Sequence, residues 1–347
     1  MNSSIERCYT ASDGRAYGTR RWDYWEGLVG HRRCVPDVGG YSIGRQMCFC
    51  RTHRKEHSMV SSIQREKAER FLRFHHDDEI LVLLNSWDVG SSRLIEASGY
   101  KAVATTSMGI AASSGYPDCE IMQLSEMIDK ITGIVNGVQV PVTADLEAGY
   151  GSTTDEVVDS VRKFIATGIV GMNIEDSINL SPTLIDEMEF CERISAIRAL
   201  SDSLGFHLVI NARTDSFYTS SGSPKEQLSE SIRRGNKYRD AGADCIFVQP
   251  VWERETISTL VKEIYAPINI LANPGIGAGM PPSVSELQDL GVARVSLGSG
   301  LMKATLALIK KVADELSERG TYNILLDAMT PLSEAAMAYK MAIELKR

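Results

Sequence analysis

No stretch of the 347 residues approaches the roughly 18 uninterrupted apolar positions of a membrane span. The N-terminus carries no apolar segment followed by a cleavage site, so secretion is not expected. An excess of positive charge is also missing. The formal net charge is −8, which disfavours a polyanion such as nucleic acid as the main partner. The seven cysteines are odd in number and lack the spacing of a disulfide framework. Reduced thiols in a cytoplasmic setting are the expectation. No G-x-G-x-x-G follows the first apolar run, which weighs against a dinucleotide-binding fold. With 43% hydrophobic residues, the chain can still bury one large core or two modest ones.

Charge is unevenly spread. Residues 1–58 hold nine Arg, one Lys and six acids, a balance of +4 against −12 for the remainder. They also hold four of the seven cysteines and three of the six histidines, and follow no helical or strand period. Within "CFCRTHRKEH", Cys48, Cys50, His53 and His57 offer four zinc-ligand types, but the spacing matches no common finger. The reading preferred here is a disordered or non-essential extension, with a single catalytic domain over 59–347.

From Ile80 onward one pattern recurs: a short apolar run ends in polar residues, and an amphipathic stretch of 10–18 residues follows. The runs expected as strands are 80–84, 102–106, 141–145, 170–175, 207–212, 244–249, 268–272 and 293–297. "TTDEVVDSVRKFIATG" and "SPKEQLSESIRRGNKYRDAG" between them each open on a capping residue and close on glycine, as helices do. Joints such as "IATGIVGM" and "YRDAGADCI" have the form of the helix-to-strand connection of a parallel sheet. Eight such units in about 240 residues predict a (β/α)8 barrel, a TIM barrel. Two further helices follow, over 299–320 and 330–347. The apolar Ala/Met face of the last predicts burial against another subunit, hence a homo-oligomer.

In such barrels the site lies at the C-terminal strand ends. "VPVTADLEAGYG" ends a strand in Asp145 and Glu147, two like charges on one side of the chain. Asp118, Glu175 and Asp176 belong to the same rim, as do Trp87, Thr106, Ser107, Arg213, Asp215, Gln249 and Asn273. Bare carboxylates about 4 Å apart repel by roughly 4 kcal/mol per pair at an effective dielectric of 20. A divalent cation relieves this, and an oxygen-only donor set without histidine suits Mg2+, or Mn2+, better than zinc. Asp145 is the expected direct ligand. Arg213 presents a planar fork suited to a substrate carboxylate, and the backbone amides at Ser107 and Met108 suit an oxyanion. Such a site fits a small 2-oxo acid whose breaking bond feeds an enolate. The opposing reading has these acids capping helices or pairing with Arg213.

The pieces "NSWDVGSSRLIEASGYKAVATTSMGIA", "GYPD", "ADLEAGYG", "NIEDS", "NARTDSF" and "AGADCIFV" fall in one order at the strand ends. In them the chain, from about Gln64 to Leu316, resembles the isocitrate lyase/phosphoenolpyruvate mutase superfamily. The resemblance implies a (β/α)8 barrel with a swapped terminal helix, a dimer or tetramer, and Mg2+ in the mouth. It implies Asp145 as direct metal ligand, with Asp118, Glu147 and Glu175 holding metal-bound waters. Arg213 matches the carboxylate-gripping arginine, and Ser107 with Met108 the oxyanion amides.

The departures narrow the chemistry. "DSINLSPTLIDEMEFCERI" follows the fourth strand, where the lyases carry a Lys-(Lys/Arg)-Cys-Gly-His loop. Cys191 falls in an apparent helix, and Cys119 lacks a basic neighbour to lower its pKa. Asn179 is a loose substitute for the mutase's asparagine, Glu147 replaces the usual aspartate, and Gln249 stands where the mutase has histidine. Machinery for holding an oxo acid remains, while the acid/base thiol is absent. The expectation is a Mg2+-dependent carbon–carbon lyase or decarboxylase for a small 2-oxo or 2-hydroxy dicarboxylate. The alternatives are an enzyme like 2-methylisocitrate lyase, or like phosphoenolpyruvate mutase and phosphonopyruvate hydrolase. A non-catalytic oxo-acid-binding barrel and, from "NPGIGAG", a sugar-phosphate enzyme complete the set. His75 and His76, on a polar turn, are expected to face solvent.

Overall fold

All eight apolar runs expected as strands are strands, and every pairing between them is parallel. The computed structural model describes residues 59–178, 183–219, 222–274 and 279–330, with helical positions at 336 and 339. The expectations for residues 1–58, the zinc alternative at Cys48, Cys50, His53 and His57, Asn179, most of 330–347 and most of the "NPGIGAG" loop fall outside the described residues.

The first strand has two segments, β1 (Leu81–Leu83) and β2 (Asn85–Ser86), with Leu84 between them. Then come β3 (Val103–Thr105), β4 (Val142–Asp145), β5 (Gly171–Glu175), β6 (Val209–Thr214), β7 (Cys245–Val248), β8 (Ile268–Leu271) and β9 (Arg294–Ser296). Leu81 pairs with Arg294 while Asn85 pairs with Ala104. One strand therefore bonds both the last and the second strand, and the sheet closes into the expected barrel.

Helices form where capping and pattern agree. Thr153 and Glu156 make a capping box for α5 (Thr154–Ala166), and Ser223 and Glu226 one for α8 (Pro224–Asp240), which has Pro in its first turn. The joint after α8 turns at Gly242, whose φ of 115° is open to glycine and strained for other residues. Ala144, Met172, Ile210, Ile246 and Ile270 of the strands pack with Ile131, Val161, Ile194 and Leu260 of the helices in one buried cluster.

Polar residues occupy the alternate strand positions. Register sets Glu175, Arg213 and Phe247 side by side, and Asp145, Asn173 and Asn211 in a neighbouring row. These two rows carry the site.

The helix α1 (Ser62–Arg73) closes the barrel's other end. Gln64 Nε2 donates to the carbonyls of Ile165 and Ile169. The Phe71 ring lies where a Cβ on Gly171 would come within 2.7 Å of it, so the first position of β5 must stay bare.

His75, expected in solvent, is 3% exposed, whereas His76 is exposed as anticipated. His75 Nδ1 lies 2.9 Å from the Phe71 carbonyl and must be the donor. Its Nε2 then accepts from Arg294 Nη1 at 3.4 Å, so the ring is neutral. The polar turn in the sequence masks a side chain folded back under the barrel. Burial, then the Arg294 charge, depress its pKa to about 3. An unfolded chain takes up this proton near pH 6.5 and the native one resists it. The contribution is therefore full above pH 6.5 and lost by roughly 1.4 kcal/mol per pH unit as pH falls toward about 3. Urea unfolding of wild type and His75→Gln at pH 7.5 and pH 5 tests this. Wild type is expected to lose about 2 kcal/mol more than the variant over that interval; equal losses would contradict it.

The long closing helix, α11 (Gly300–Arg319), forms as expected, and a short α12 (Asn323–Ala328) follows it. Much of α11 is uncovered: Leu306 is 50%, Ile309 60% and Leu316 40% exposed. No helix among the described residues is long and apolar enough to cross a membrane.

Candidate active site

β4 delivers Asp145 to the rim, and the turn after it brings Glu147 back toward the same space. β3 ends at Thr105, and Thr106 caps α3 (Ser107–Ser113) by accepting from the Gly109 amide. That cap holds Ser107 against Asp145. Ser107 N and Oγ both donate to Asp145 Oδ2, at 3.1 and 2.9 Å, and Oγ also reaches Asp118 Oδ1 at 3.4 Å.

Two adjoining hollows share Ser107, Asp118 and Arg213. The larger, about 270 Å3, is also lined by Thr106, Met108, Asp145 and Gln249. The smaller is completed by Glu147, Glu175, Cys119 and Glu120. Nine of the thirteen residues expected at the rim line these hollows. Asp215 and Asp176 lie buried behind them, Asp176 accepting from Tyr238 Oη at 2.6 Å and from the Asp215 amide at 2.9 Å and pairing with Arg234. Trp87 and Asn273 line neither hollow. Trp87 packs against the core, and buried Asn273 lies against Gly300.

Arg213 is arranged differently from expectation. Its Nε and Nη2 donate to the two oxygens of Asp215, at 2.6 and 2.8 Å, and Nη1 pairs with Glu175. Asp215 is held in turn by Ser177 Oγ at 2.6 Å and Gln249 Nε2 at 3.3 Å. One edge of the guanidinium is thereby committed to the protein, and a ligand carboxylate can reach only the Nη1 side. Glu175 and Asp215 thus take the pairing role set against the metal reading in the sequence.

The other three acids do not. Asp145, Asp118 and Glu147 have no ion-pair partner among the described residues. Burial, then the Asp145 charge, raise the pKa of Asp118. Burial, then Asp145 and Asp118, push Glu147 up to about 8, although Tyr150 Oη and the Glu120 amide donate to its carboxylate. Burial also raises Glu175 well above its ordinary value against the pull of Arg213. Uncompensated negative charge across two adjoining hollows, presented by hard oxygen donors, fits a divalent cation. No three acidic, histidine or cysteine side chains among the described residues converge as a direct ligand set. The fit is therefore to an ion that keeps much of its water, as Mg2+ does.

Backbone conformation marks the same place. Cys119, Glu120, Glu147 and Tyr150 all have φ between 52° and 75°, a region costly for side chains other than glycine. Neither thiol is activated. Burial and the charges of Asp118 and Glu147 push Cys119 up to about 11, and burial raises Cys191, which sits in the helix Glu187–Ser203 as expected.

The sequence reading missed Asn173, Tyr218, Phe247, Leu271, Ser296 and Ser299 as lining residues. For Asn173 a signal existed: it stands two positions before Glu175 on one strand and so faces the same way.

A (β/α)8 barrel with this acid-rimmed mouth belongs among enzymes of the isocitrate lyase/phosphoenolpyruvate mutase superfamily. The chain is a member of the phosphoenolpyruvate phosphomutase family, whose sequence profile matches residues 71–317. It is 26% identical over 264 residues to 2-methylisocitrate lyase of Escherichia coli, covering 73% of this chain and 86% of that one. It is 28% identical over 223 residues to 2,3-dimethylmalate lyase of Eubacterium barkeri, covering 61% and 73%. A crystal structure of 2,3-dimethylmalate lyase superposes with a TM-score of 0.69 at 25% identity, covering 81% of this chain and 94% of that one.

Proposed function

We propose that the protein is a Mg2+-dependent carbon–carbon lyase, most simply a decarboxylase, acting on a small 2-oxo or 2-hydroxy dicarboxylate. The observation that carries this reading is the trio Asp145, Asp118 and Glu147, which line two adjoining hollows and have no cationic partner among the described residues, beside Arg213, whose Nη1 side is held only by Glu175. Asp145 would hold the ion directly, and Asp118, Glu147 and Glu175 its waters. When bound, the ion supplies Lewis-acid polarisation of the 2-oxo group.

The chain's residues do the rest. Arg213 takes the C1 carboxylate on its Nη1 side, exchanging Glu175 for the ligand. Ser107 and Met108 turn the first amides of α3 toward the developing oxyanion, the Ser107 amide giving up Asp145 to do so. Cleavage must then proceed without a thiolate, since Cys119 is protonated at neutral pH. Loss of CO2 asks least of an acid/base group, because the departing carboxylate leaves its electron pair directly in the enolate. Met108, Phe247 and Leu271 give the cavity an apolar lining, and Arg213 is the one cation among the described residues lining it. A carboxylate resting on that wall is poorly solvated, and its conversion to neutral CO2 is favoured.

Turnover of oxaloacetate, 2-methylisocitrate and phosphonopyruvate with Mg2+, followed by coupled pyruvate or glyoxylate detection, tests the reading. Pyruvate from oxaloacetate, abolished by EDTA, is the expected result. Pyruvate from 2-methylisocitrate would favour an activity like that of 2-methylisocitrate lyase of Escherichia coli. Mg2+ binding with no turnover of any of the three would favour a non-catalytic oxo-acid-binding barrel.

The uncovered stripe of α11 supports a homo-oligomer, since Leu306, Ile309 and Leu316 recur on one helical face. Light scattering is expected to give a dimer or tetramer, and Ile309→Glu is expected to dissociate it. A monomeric wild type at micromolar concentration would contradict this.

A further inference from the structure

Arg294 is the first residue of β9, and it is fully buried inside the barrel. Its guanidinium has no carboxylate within ion-pair distance among the described residues, and burial lowers its pKa to about 10. It lies over the Phe71 ring at 5.9 Å. Its side-chain acceptors are His75 Nε2, at 3.4 Å, and Asn173 Oδ1, at 3.1 Å. Asn211 Nδ2 reaches the same Asn173 oxygen at 2.8 Å.

This settles the orientation of the Asn173 amide on chemical grounds. A guanidinium has donors and no acceptor. The amide atom facing Arg294 must therefore be oxygen, and the Asn211 atom facing that oxygen must be nitrogen. Turning the Asn173 amide over would set N–H against N–H on two sides in a buried site, where each unmet polar group is costly. The Asn173 Nδ2 donors are consequently turned away from the barrel interior. Asn173 is 9% exposed, and it lines the 270 Å3 cavity with Asp145 and Arg213. Its Nδ2 has no partner among the described residues, yet it is not enclosed by protein.

We propose that Asn173 is a substrate-binding residue whose Nδ2 donates a hydrogen bond to an acceptor oxygen of the bound oxo acid. The inference deepens the proposed function and rests on it. The rim supplies one cationic donor, Arg213, while Asp145, Asp118 and Glu147 are acceptors only when ionised. A ligand rich in carboxylate and oxo oxygens needs donors, and Asn173 supplies a neutral one beside Asp145 in the strand register. Its neutrality matters, because a cation there would pair with Asp145. A donor locked from behind by two others also selects for an oxygen on the ligand over an amino group.

Oxalate, a planar mimic of the enolate of pyruvate, is the probe. Its binding to the intact chain with saturating Mg2+ is measured by calorimetry for wild type, Asn173→Ala and Asn173→Asp. Asn173→Asp is the sharper variant: one carboxylate oxygen still accepts from Arg294 and Asn211, while the other replaces the donor with an acceptor. Its urea midpoint is expected at or above that of wild type. Both variants are expected to weaken oxalate binding about 10- to 100-fold, the range of one hydrogen bond to a charged group. Mg2+ titrated alone into Asn173→Ala should bind as it does to wild type.

Three results decide between the claims. If wild type binds oxalate and both variants bind it within twofold, Asn173 does not touch the ligand, and the proposed function stands without it. If only Asn173→Asp is weakened, the effect is one of added charge and the inference fails. If wild type binds no oxalate with Mg2+ present, the proposed function and the inference fall together.

Discussion

Asp145→Ala is expected to lower kcat/KM for the cleaved oxo acid by about 10^3-fold or more, a loss of roughly 4 kcal/mol of transition-state stabilisation. The size follows from what its carboxylate does. It is the acid at the end of β4 that shares both hollows' common wall through Ser107, and it alone fixes Ser107 by two hydrogen bonds to one oxygen. Losing it removes the proposed direct ligand and both bonds that seat the start of α3, where the oxyanion amides lie. The remaining acids then repel less, so folding is expected to survive. A thermal melt should show a stable variant whose midpoint no longer rises with Mg2+. Wild-type turnover in Asp145→Ala would show that the ion, if any, sits elsewhere.

The second large effect is at Arg213. Removing its guanidinium in Arg213→Met strands Glu175 and Asp215, which are nearly buried and meet in that one side chain. Breaking such a pair by deleting one partner costs about 3–5 kcal/mol, because the charge left behind is uncompensated. Urea unfolding should register that loss, and kcat/KM should fall by at least about 10^3-fold through the missing carboxylate grip. Arg213→Lys keeps the charge but cannot span Asp215 with two parallel bonds while reaching Glu175. It is expected to recover part of the stability and little of the activity. If Lys restores full activity, the planar geometry has no role in binding.

These two residues were legible in the sequence because strand ends in a parallel barrel carry the site, and Asp145 and Arg213 each end an unmistakable apolar run. The strand positions were legible for the same reason, helped by a glycine at several helix-to-strand joints. What escaped notice was pairing across the barrel. Asp215 was visible beside Arg213, but nothing in a linear chain says that its two oxygens take one edge of the guanidinium. Arg294 and Asn173 lie 121 positions apart and look like interruptions of their strands; their bond exists only once the sheet closes. His75 was misplaced because a polar turn is compatible with either direction of its side chain, and the Phe71 carbonyl that holds it belongs to the preceding helix turn. Trp87 and Asn273 sit at strand ends as the pattern requires, yet point into packing rather than toward the mouth.

The family and the geometry agree on where chemistry occurs, and the carboxylates decide what kind. Five acids line the hollows around Arg213; it pairs with one of them, Glu175, and another, Glu120, accepts from the Tyr150 amide. The remaining three are tolerable together at neutral pH only with a positive ion among them, or by holding protons that ordinary carboxylates give up. Mn2+ taken up by the protein, read as the loss of the free-ion signal in electron paramagnetic resonance, separates these possibilities. The account predicts about one Mn2+ per chain in wild type, held more tightly when oxalate is present, and none in Asp145→Ala. Unchanged uptake in the variant, or no uptake by wild type with or without oxalate, would contradict it.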